Sequence, residues 1–526
     1  MRPTDPIPAR RWWNDPLFLT LVVLASAIPL LWPDIPPLVD LPGHMARYRV
    51  QLDGGRTPWF SEWYDFRWSL IGNLGVDLLI IPMAWLFGLE LGVKLIVLAI
   101  PPLTVAGLLW IAREVHGRVP PTAFFALPLA YGFPFHFGFV NFALSMGLAL
   151  CAYGYWLRLA RLDRLRLRAI VFVPISVAIW VTHTFGWGVL GVLAFSGELI
   201  RQHDRGKGWI EAWLRAGVAC LSLALPLLLM VLWRSAADVG GQTTDFFNWR
   251  LKYRWVEMAL ADRWYWFDII SLALLGLVLL AALRNPAFGY SRNLAISAIF
   301  LAAVYLCLPR IVFGSAYADM RLAPYVIAIA LIALRPRPRL SRRAASALAL
   351  ASLAFFTARI AGNTVSFRIY DRAYDRELAA LPHLPVGARV ITFTGGACGQ
   401  RWNMHRLEHL GAMALVRRGA YTNDQWSMAG GQLLTVRGLG GRYFSHDPSE
   451  IVTAVKCPRQ HWLPIDQALR QFPRAAFSHV WLIRPPAYDP ASLAGLTPIW
   501  RDGTSAVYRV DGPAAPLRLN GVSSPR

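Results

Sequence analysis

Residues 33–49, PDIPPLVDLPGHMARYR, follow directly on the apolar run 16–32, and their reading decides the fold. If 16–32 crosses a bilayer, the chain emerges on the far side carrying Asp40, His44, Arg47 and Arg49. Pro36, Pro37 and Pro42 flank Asp40. Proline fixes φ and stiffens the backbone on both sides of that carboxylate. An acid and several bases are thereby placed just outside the hydrocarbon.

The rest of the chain supports a crossing. Of 526 residues, 56% are hydrophobic and 16% charged, against about 25% charged in soluble domains. Mean hydropathy is +0.40. Apolar runs of about 17–20 residues recur, enough to span roughly 30 Å of hydrocarbon. No small-residue cleavage site follows 16–32, which reads as a retained helix.

The net charge is +22. Nucleic-acid binding is disfavoured, because Lys and Arg gather in the links between apolar runs, as the positive-inside bias requires. Arg2, Arg10 and Arg11 put the N-terminus on the cytoplasmic side. The basic links 113–118, 158–168, 201–215, 284–292 and 335–343 belong on the same side. Two apolar runs, 70–88 and 93–112, precede the link REVHGR, and two crossings would put it outside. The 70–88 run, with Asn73, Asp77 and Pro82, is read as juxtamembrane or re-entrant on the outer side. The remaining spans are 94–112, 122–138, 142–157, 170–182, 186–200, 218–233, 266–283, 294–308, 322–334 and 344–357. With 16–32 they make about eleven crossings.

The expected fold is thus an α-helical polytopic membrane protein with a soluble C-terminal α/β domain. The membrane part covers 1–358, with a first outer loop 33–92 and a long outer loop 234–268. The domain covers 359–526, with strands at 388–394, 479–483 and 506–510 after a helical period at 370–381. An odd number of crossings makes it periplasmic. The tail 520–526 is expected to fray. Cys151, Cys220 and Cys307 lie in apolar spans. Cys398 and Cys457 form a disulfide if their domain is periplasmic. No CxxC spacing suggests a metal site, and a role for a divalent metal stays open. No organellar signal is visible, which fits a bacterial inner membrane.

Asp40 is the first candidate for chemistry, since a surface carboxylate can take a proton from a hydroxyl. The plainer reading is a solvated loop acid or a helix cap. His44, Arg47 and Tyr48 share a face with it if a helix begins here.

These motifs carry a resemblance. PLVDLPGHMAR after the first span resembles the first external loop of the GT-C class of polyprenyl-phosphate-dependent membrane glycosyltransferases, in layout the superfamily of protein O-mannosyltransferases and aminoarabinose transferases. DLLIIPMAWLFGLELGVKL is similar to the stretch leading into their second span. WIAREVHGR and the C-terminal periplasmic domain also fit. The resemblance implies a polyprenyl-phosphate-linked sugar donor, a lipid, glycan or protein acceptor, and Asp40 as base. One departure stands out. The second external loop, FHFGFVN, offers His136 and Asn141 where many members carry an acid. His136 is then a polar substrate contact or an interfacial histidine.

A polyprenyl-phosphate leaving group needs cations at the outer surface. The candidates are Arg47, Arg49, Arg250, Lys252, Arg254, Arg263, Arg310 and Arg321. Arg321, in GSAYADMRLAPY, opens a span beside Asp319 and resembles the basic residue such enzymes set near the lipid phosphate. Its alternative is an interface anchor. Asp77 and His183 lie in apolar context, where ionisable groups tend to be functional. His183 either faces the cavity of Asp40 or is packed. The Trp- and Tyr-rich part of loop 234–268 suits a lid, or an aromatic belt on the membrane. NDQW at 423–426 is distinctive but suggests no mechanism. Against an inverting glycosyltransferase stand a transporter or flippase, which predicts an internal repeat that is not seen, and a non-catalytic cell-envelope assembly component, in which Asp40 is dispensable.

Overall fold

The computed structural model describes residues 11–236, 242–312, 315–399, 402, 404–428, 431–437, 439, 444, 451–458 and 460–512. Arg2, Arg10, positions 237–241 of the long outer loop and the tail 520–526 lie outside that set.

Among the described residues, five helices are long and apolar enough to cross a membrane: Leu89–His116, Val140–Arg161, Leu165–Thr182, Tyr265–Arg284 and Arg342–His383. The pair Trp209–Leu223 and Leu225–Val231, bent by 64°, makes a sixth if it is one broken span. Of the other segments drawn as crossings, four fall on shorter apolar helices, Pro16–Ala25, Ala123–Phe137, Arg292–Cys307 and Ala323–Ile332. The helix Thr184–Asp204 is 21 residues long but is not among the helices that meet the same measure of length and composition.

Two segments differ in kind from regular crossings. Residues Ala123–Tyr131 wind as a 3-10 helix, and after Gly132 a short helix runs Phe133–Phe137. Pro128 and Pro134 withhold backbone donors there, and nearly every side chain is buried in protein, the setting in which irregular backbone survives at membrane depth. The helix Gly75–Phe87 is 13 residues long, about 20 Å, and turns at Gly88 (φ +77°) straight into Leu89–His116.

The Leu41–Asp53 helix begins with Pro42 in its first turn, where no donor is needed, and stops at Gly54 in the left-handed region, φ +60°. It faces both parts of the molecule. Leu41, Met45 and Tyr48 join the large core of the membrane helices. Ala46 and Val50 join the core of the C-terminal domain with Leu415 and Tyr421.

That domain holds a mixed sheet in the order Leu496–Asp502, Ser505–Val510, His479–Ile483, Arg389–Gly395, Ile451–Thr453, Leu463–Pro464, with Tyr421–Thr422 beside Arg389–Gly395. The first two neighbour pairs are antiparallel and the others parallel. A disulfide joins Cys398 and Cys457, Cα atoms 5.3 Å apart. No linker marks the change in composition at 359. One helix, Arg342–Leu378, runs through it for 37 residues, about 55 Å. Arg359 is buried on that helix and donates to Asp268 at 2.7 Å and to the Leu260 carbonyl at 2.7 Å. Trp402 bonds the other Asp268 oxygen at 2.9 Å.

Arg406 fastens the domain down. Fully buried, it pairs with Asp262 and the Pro37 carbonyl, and its guanidinium lies 3.0 Å from His136 Nδ1. The first outer loop also contributes a strand, Tyr64–Phe66, antiparallel to Leu434–Val436. Loop and domain therefore form one roof over the membrane helices.

Candidate functional site

A cavity of about 300 Å³ opens beneath that roof. It is lined at and after the N-cap of the Leu41–Asp53 helix, by Phe137, Phe139 and Asn141, by His183, by Tyr317 and Arg321, and by Glu408, His409, Trp426 and Gln432 of the C-terminal domain. Asp40, His44, Arg47, Asn141, His183 and Arg321 all line it. Asp40, His44 and Arg47 are neighbours in sequence; Asn141, His183 and Arg321 join them only in the fold.

Asp40 sits at the N-cap position of its helix, yet its side chain makes no capping bond. Its backbone is held instead: its N–H donates to the Phe137 carbonyl at 3.0 Å. Gly138, φ +101°, lets the two strands of chain touch, since a Cβ there would lie 2.7 Å from the Asp40 nitrogen. The carboxylate is left for the cavity, with Oδ1 3.8 Å from His409 Nε2. Burial, and then the Glu408 charge, raise its pKa well above the usual carboxylate range, while Arg321 pulls the other way. A raised proton affinity favours a carboxylate as general base.

Arg321 is buried beneath three phenylalanines, 4.3 Å from the Phe139 ring, 5.4 Å from Phe185 and 5.8 Å from Phe142. Among the described residues no carboxylate lies within ion-pair distance of it. Its polar neighbours are His183 Nε2 at 3.3 Å and Ser315 Oγ at 3.5 Å. The Phe185 N–H faces His183 Nδ1 at 3.1 Å. A guanidinium only donates and a neutral imidazole has one acceptor nitrogen, so the ring accepts either from Arg321 at Nε2 or from Phe185 at Nδ1. Arg321 thus stands in the cavity with no carboxylate beside it among the described residues, an arrangement that suits a phosphate or carboxylate. Burial lowers the Arg321 pKa to about 10, with Asp40 opposing, and the group stays cationic at neutral pH. Nearby Tyr317 lines the cavity at φ +62°, a conformation that costs a bulky residue about 1–3 kcal/mol and clusters at functional sites.

Arg47 is committed elsewhere. It pairs with Asp77 at 3.0 Å, both side chains buried, and Asn141 Nδ2 donates to the same carboxylate at 3.1 Å. Asp77, read from its apolar context as functional, thus anchors two cavity residues. His44 is half-buried between Tyr48, ring centroids 6.4 Å apart, and Trp426, 5.5 Å. Burial, then Arg47 and His409, lower its pKa well below the usual imidazole value, so it is neutral.

Two expected residues are outside. His136 is fully buried behind the cavity wall, because Arg406 descends from the C-terminal domain to meet it. Arg254 pairs with Glu257 at 2.6 Å on the helix Trp249–Glu257 and lies over the Trp402 ring at 5.5 Å. Of the other outer cations, Lys252 is buried against Asp319 at 3.3 Å and two carbonyls at 2.8 Å, and Arg310 pairs with Asp245.

Sequence reasoning missed Glu408, His409 and Gln432, and gave NDQW no role. In the fold Trp426 of that motif stands between His44 and His409, 5.1 Å from the latter. Burial holds the His409 pKa at about 4. Asp424 is buried behind Gly411, whose Cβ would lie 2.6 Å from its Oδ2. Burial, then Glu408, raise the Asp424 pKa to about 8, so it is largely protonated at neutral pH. Asp40, Glu408 and Asp424 form an electrostatically linked row of acids from the cavity into the domain. Among the described residues no three His, Cys, Asp or Glu side chains are grouped as metal ligands.

No family model matches the sequence, and no curated protein matches it. Among solved structures the chain is similar to the crystal structure of ArnT from Cupriavidus metallidurans bound to undecaprenyl phosphate. The two share 12% identity over 95% of this chain and 98% of that one, with a TM-score of 0.46.

Proposed function

We propose that the chain is a membrane glycosyltransferase that moves a sugar from a polyprenyl-phosphate donor to a hydroxyl of a lipid, glycan or protein. One observation carries the reading. A carboxylate free of capping bonds, Asp40, and a buried guanidinium with no acidic partner among the described residues, Arg321, line the same roofed cavity. A base and an anion-holding cation in one enclosure are what displacement of a sugar from a phosphate requires.

In this reaction the acceptor oxygen attacks the anomeric carbon. The carbon–oxygen bond to the phosphate breaks, and its electron pair leaves on the phosphate oxygen. Asp40 takes the acceptor proton, and Arg321 steadies the charge on the leaving phosphate. Direct attack inverts the anomeric centre. Glu408 raises the proton affinity of Asp40, and the roof of 408–432 excludes water.

The positive-inside bias puts the cavity on the periplasmic face of a bacterial inner membrane, with the N-terminus cytoplasmic. A transporter or a scaffold has no need of a base beside an unpaired buried cation. The test is incubation of membranes holding the protein with a panel of polyprenyl-phosphate sugars, reading free polyprenyl phosphate by mass spectrometry. Release dependent on the protein and on an acceptor supports the enzyme. No release from any donor, with intact protein present, favours the scaffold.

A further inference from the structure

A second and larger cavity, about 620 Å³, shares no lining residue with the first. Arg11, Arg118, Arg335 and Arg337 line it, together with His116. The Ala323–Ile332 helix leads from Arg321, at the first cavity, to Arg335, at the second.

Hydrogen bonds to the backbone hold the segments that carry the four arginines. Asn14 exchanges two hydrogen bonds with the backbone of Val119, 2.7 and 3.1 Å, which fixes the segment carrying Arg11 beside Arg118. The strand Leu334–Pro336 pairs with Phe288–Tyr290 and fixes Arg335. The Arg337 N–H donates to the Ala287 carbonyl at 2.8 Å. Among the described residues none of the four has a carboxylate within ion-pair distance. Positive charges on Arg118 and Arg342 press on Arg11. A loose basic rim would spread such charges apart; here paired backbone holds them around one concavity.

We propose that this pocket binds the phosphate-bearing head group of an anionic membrane lipid, on the membrane face opposite the catalytic cavity. Guanidinium groups match phosphate oxygens in bidentate geometry. Four of them around one cavity suit a head group with more than one phosphate. Anionic lipid concentrates at the membrane interface, and the apolar bodies of Tyr290 and Leu340 at the cavity wall pack against the protein's own hydrophobic core. Lipid bound here would tie the N-terminal segment, the 117–119 turn and the 334–340 turn together.

The test uses the full chain in detergent and native mass spectrometry, with cardiolipin, phosphatidylcholine and inorganic pyrophosphate as probes. Wild type should retain cardiolipin and not phosphatidylcholine. The double variant R335Q/R337Q should bind cardiolipin about 30-fold more weakly, from two surface charges removed, with an unchanged unfolding temperature. R118Q serves the same purpose, at a smaller loss, if the double variant does not fold. Equal cardiolipin retention by wild type and a folded variant overturns the proposal. Pyrophosphate binding without cardiolipin retention overturns the lipid assignment and leaves a site for a free anion. None of these readouts involves sugar transfer, so the result is independent of the catalytic reading.

Discussion

Arg321→Gln separates a cation kept for a ligand from one kept for the fold. Removing one partner of a buried ion pair costs about 3–5 kcal/mol, because the other charge is stranded. Arg321 strands nothing: among the described residues it has no acidic partner, and its polar neighbours stand 3.3 and 3.5 Å away. The variant keeps the stem and gives up a cation–π contact worth about 0.5–2 kcal/mol, offset by relief of a buried charge. The stability of the ligand-free protein should therefore change by no more than about 1 kcal/mol. Binding is another matter. Each hydrogen bond to a charged group contributes about 1.5–3 kcal/mol. Two lost at a phosphate weaken affinity by about 100-fold or more. Titration of polyprenyl phosphate into wild type and R321Q, alongside thermal unfolding without ligand, reads both quantities. Unchanged affinity, or unfolding of the ligand-free variant on the scale of a broken buried pair, would refute the reasoning.

Glu408→Gln removes the negative charge beside Asp40. The acidic limb of the pH–rate profile should move to lower pH, and an unmoved limb would count against Asp40 as the titrating base. Asp424 holds a proton in the folded state up to about pH 8 that the unfolded chain gives up near its ordinary value, about 4. Unfolded chain thus binds fewer protons between those values, and stability falls as pH rises through that window. Asp424→Asn should flatten the fall in unfolding temperature between pH 5 and 9; an unchanged slope would contradict a buried protonated acid. Arg406→Met leaves Asp262 buried and unpaired and should cost about 3–5 kcal/mol, seen as earlier unfolding and faster proteolysis of 359–512. Wild-type resistance would show that Arg406 does not fasten the domain.

Much of the membrane-facing half of the site is legible in the residues. Asp40 is marked by the prolines around it, Arg321 by its position against the positive-inside bias, and His183 by its apolar setting. The half supplied by the C-terminal domain is not. Glu408 and His409 stand in ordinary polar sequence, and only the docking of the domain brings them to Asp40. Trp426 draws the eye as part of NDQW, but its partner His44 is remote in the chain. His136 shows the converse: a histidine in a loop looks available until Arg406 arrives from 270 residues away. The helix Arg342–Leu378 was hidden by composition. Its polarity changes at the membrane surface while its backbone continues, so the shift reads as a domain boundary.

The central claim is that Asp40 takes the acceptor's proton in sugar transfer from a polyprenyl-phosphate donor. The direct measurement is transfer in membranes by wild type and Asp40→Asn, with equal expression and equal unfolding temperature confirmed. The variant keeps the side chain's size and removes its charge. Loss of a general base contributes about 10²–10⁴-fold, and the account predicts a fall of that order in rate with polyprenyl-phosphate binding retained. Undiminished transfer by Asp40→Asn would contradict it.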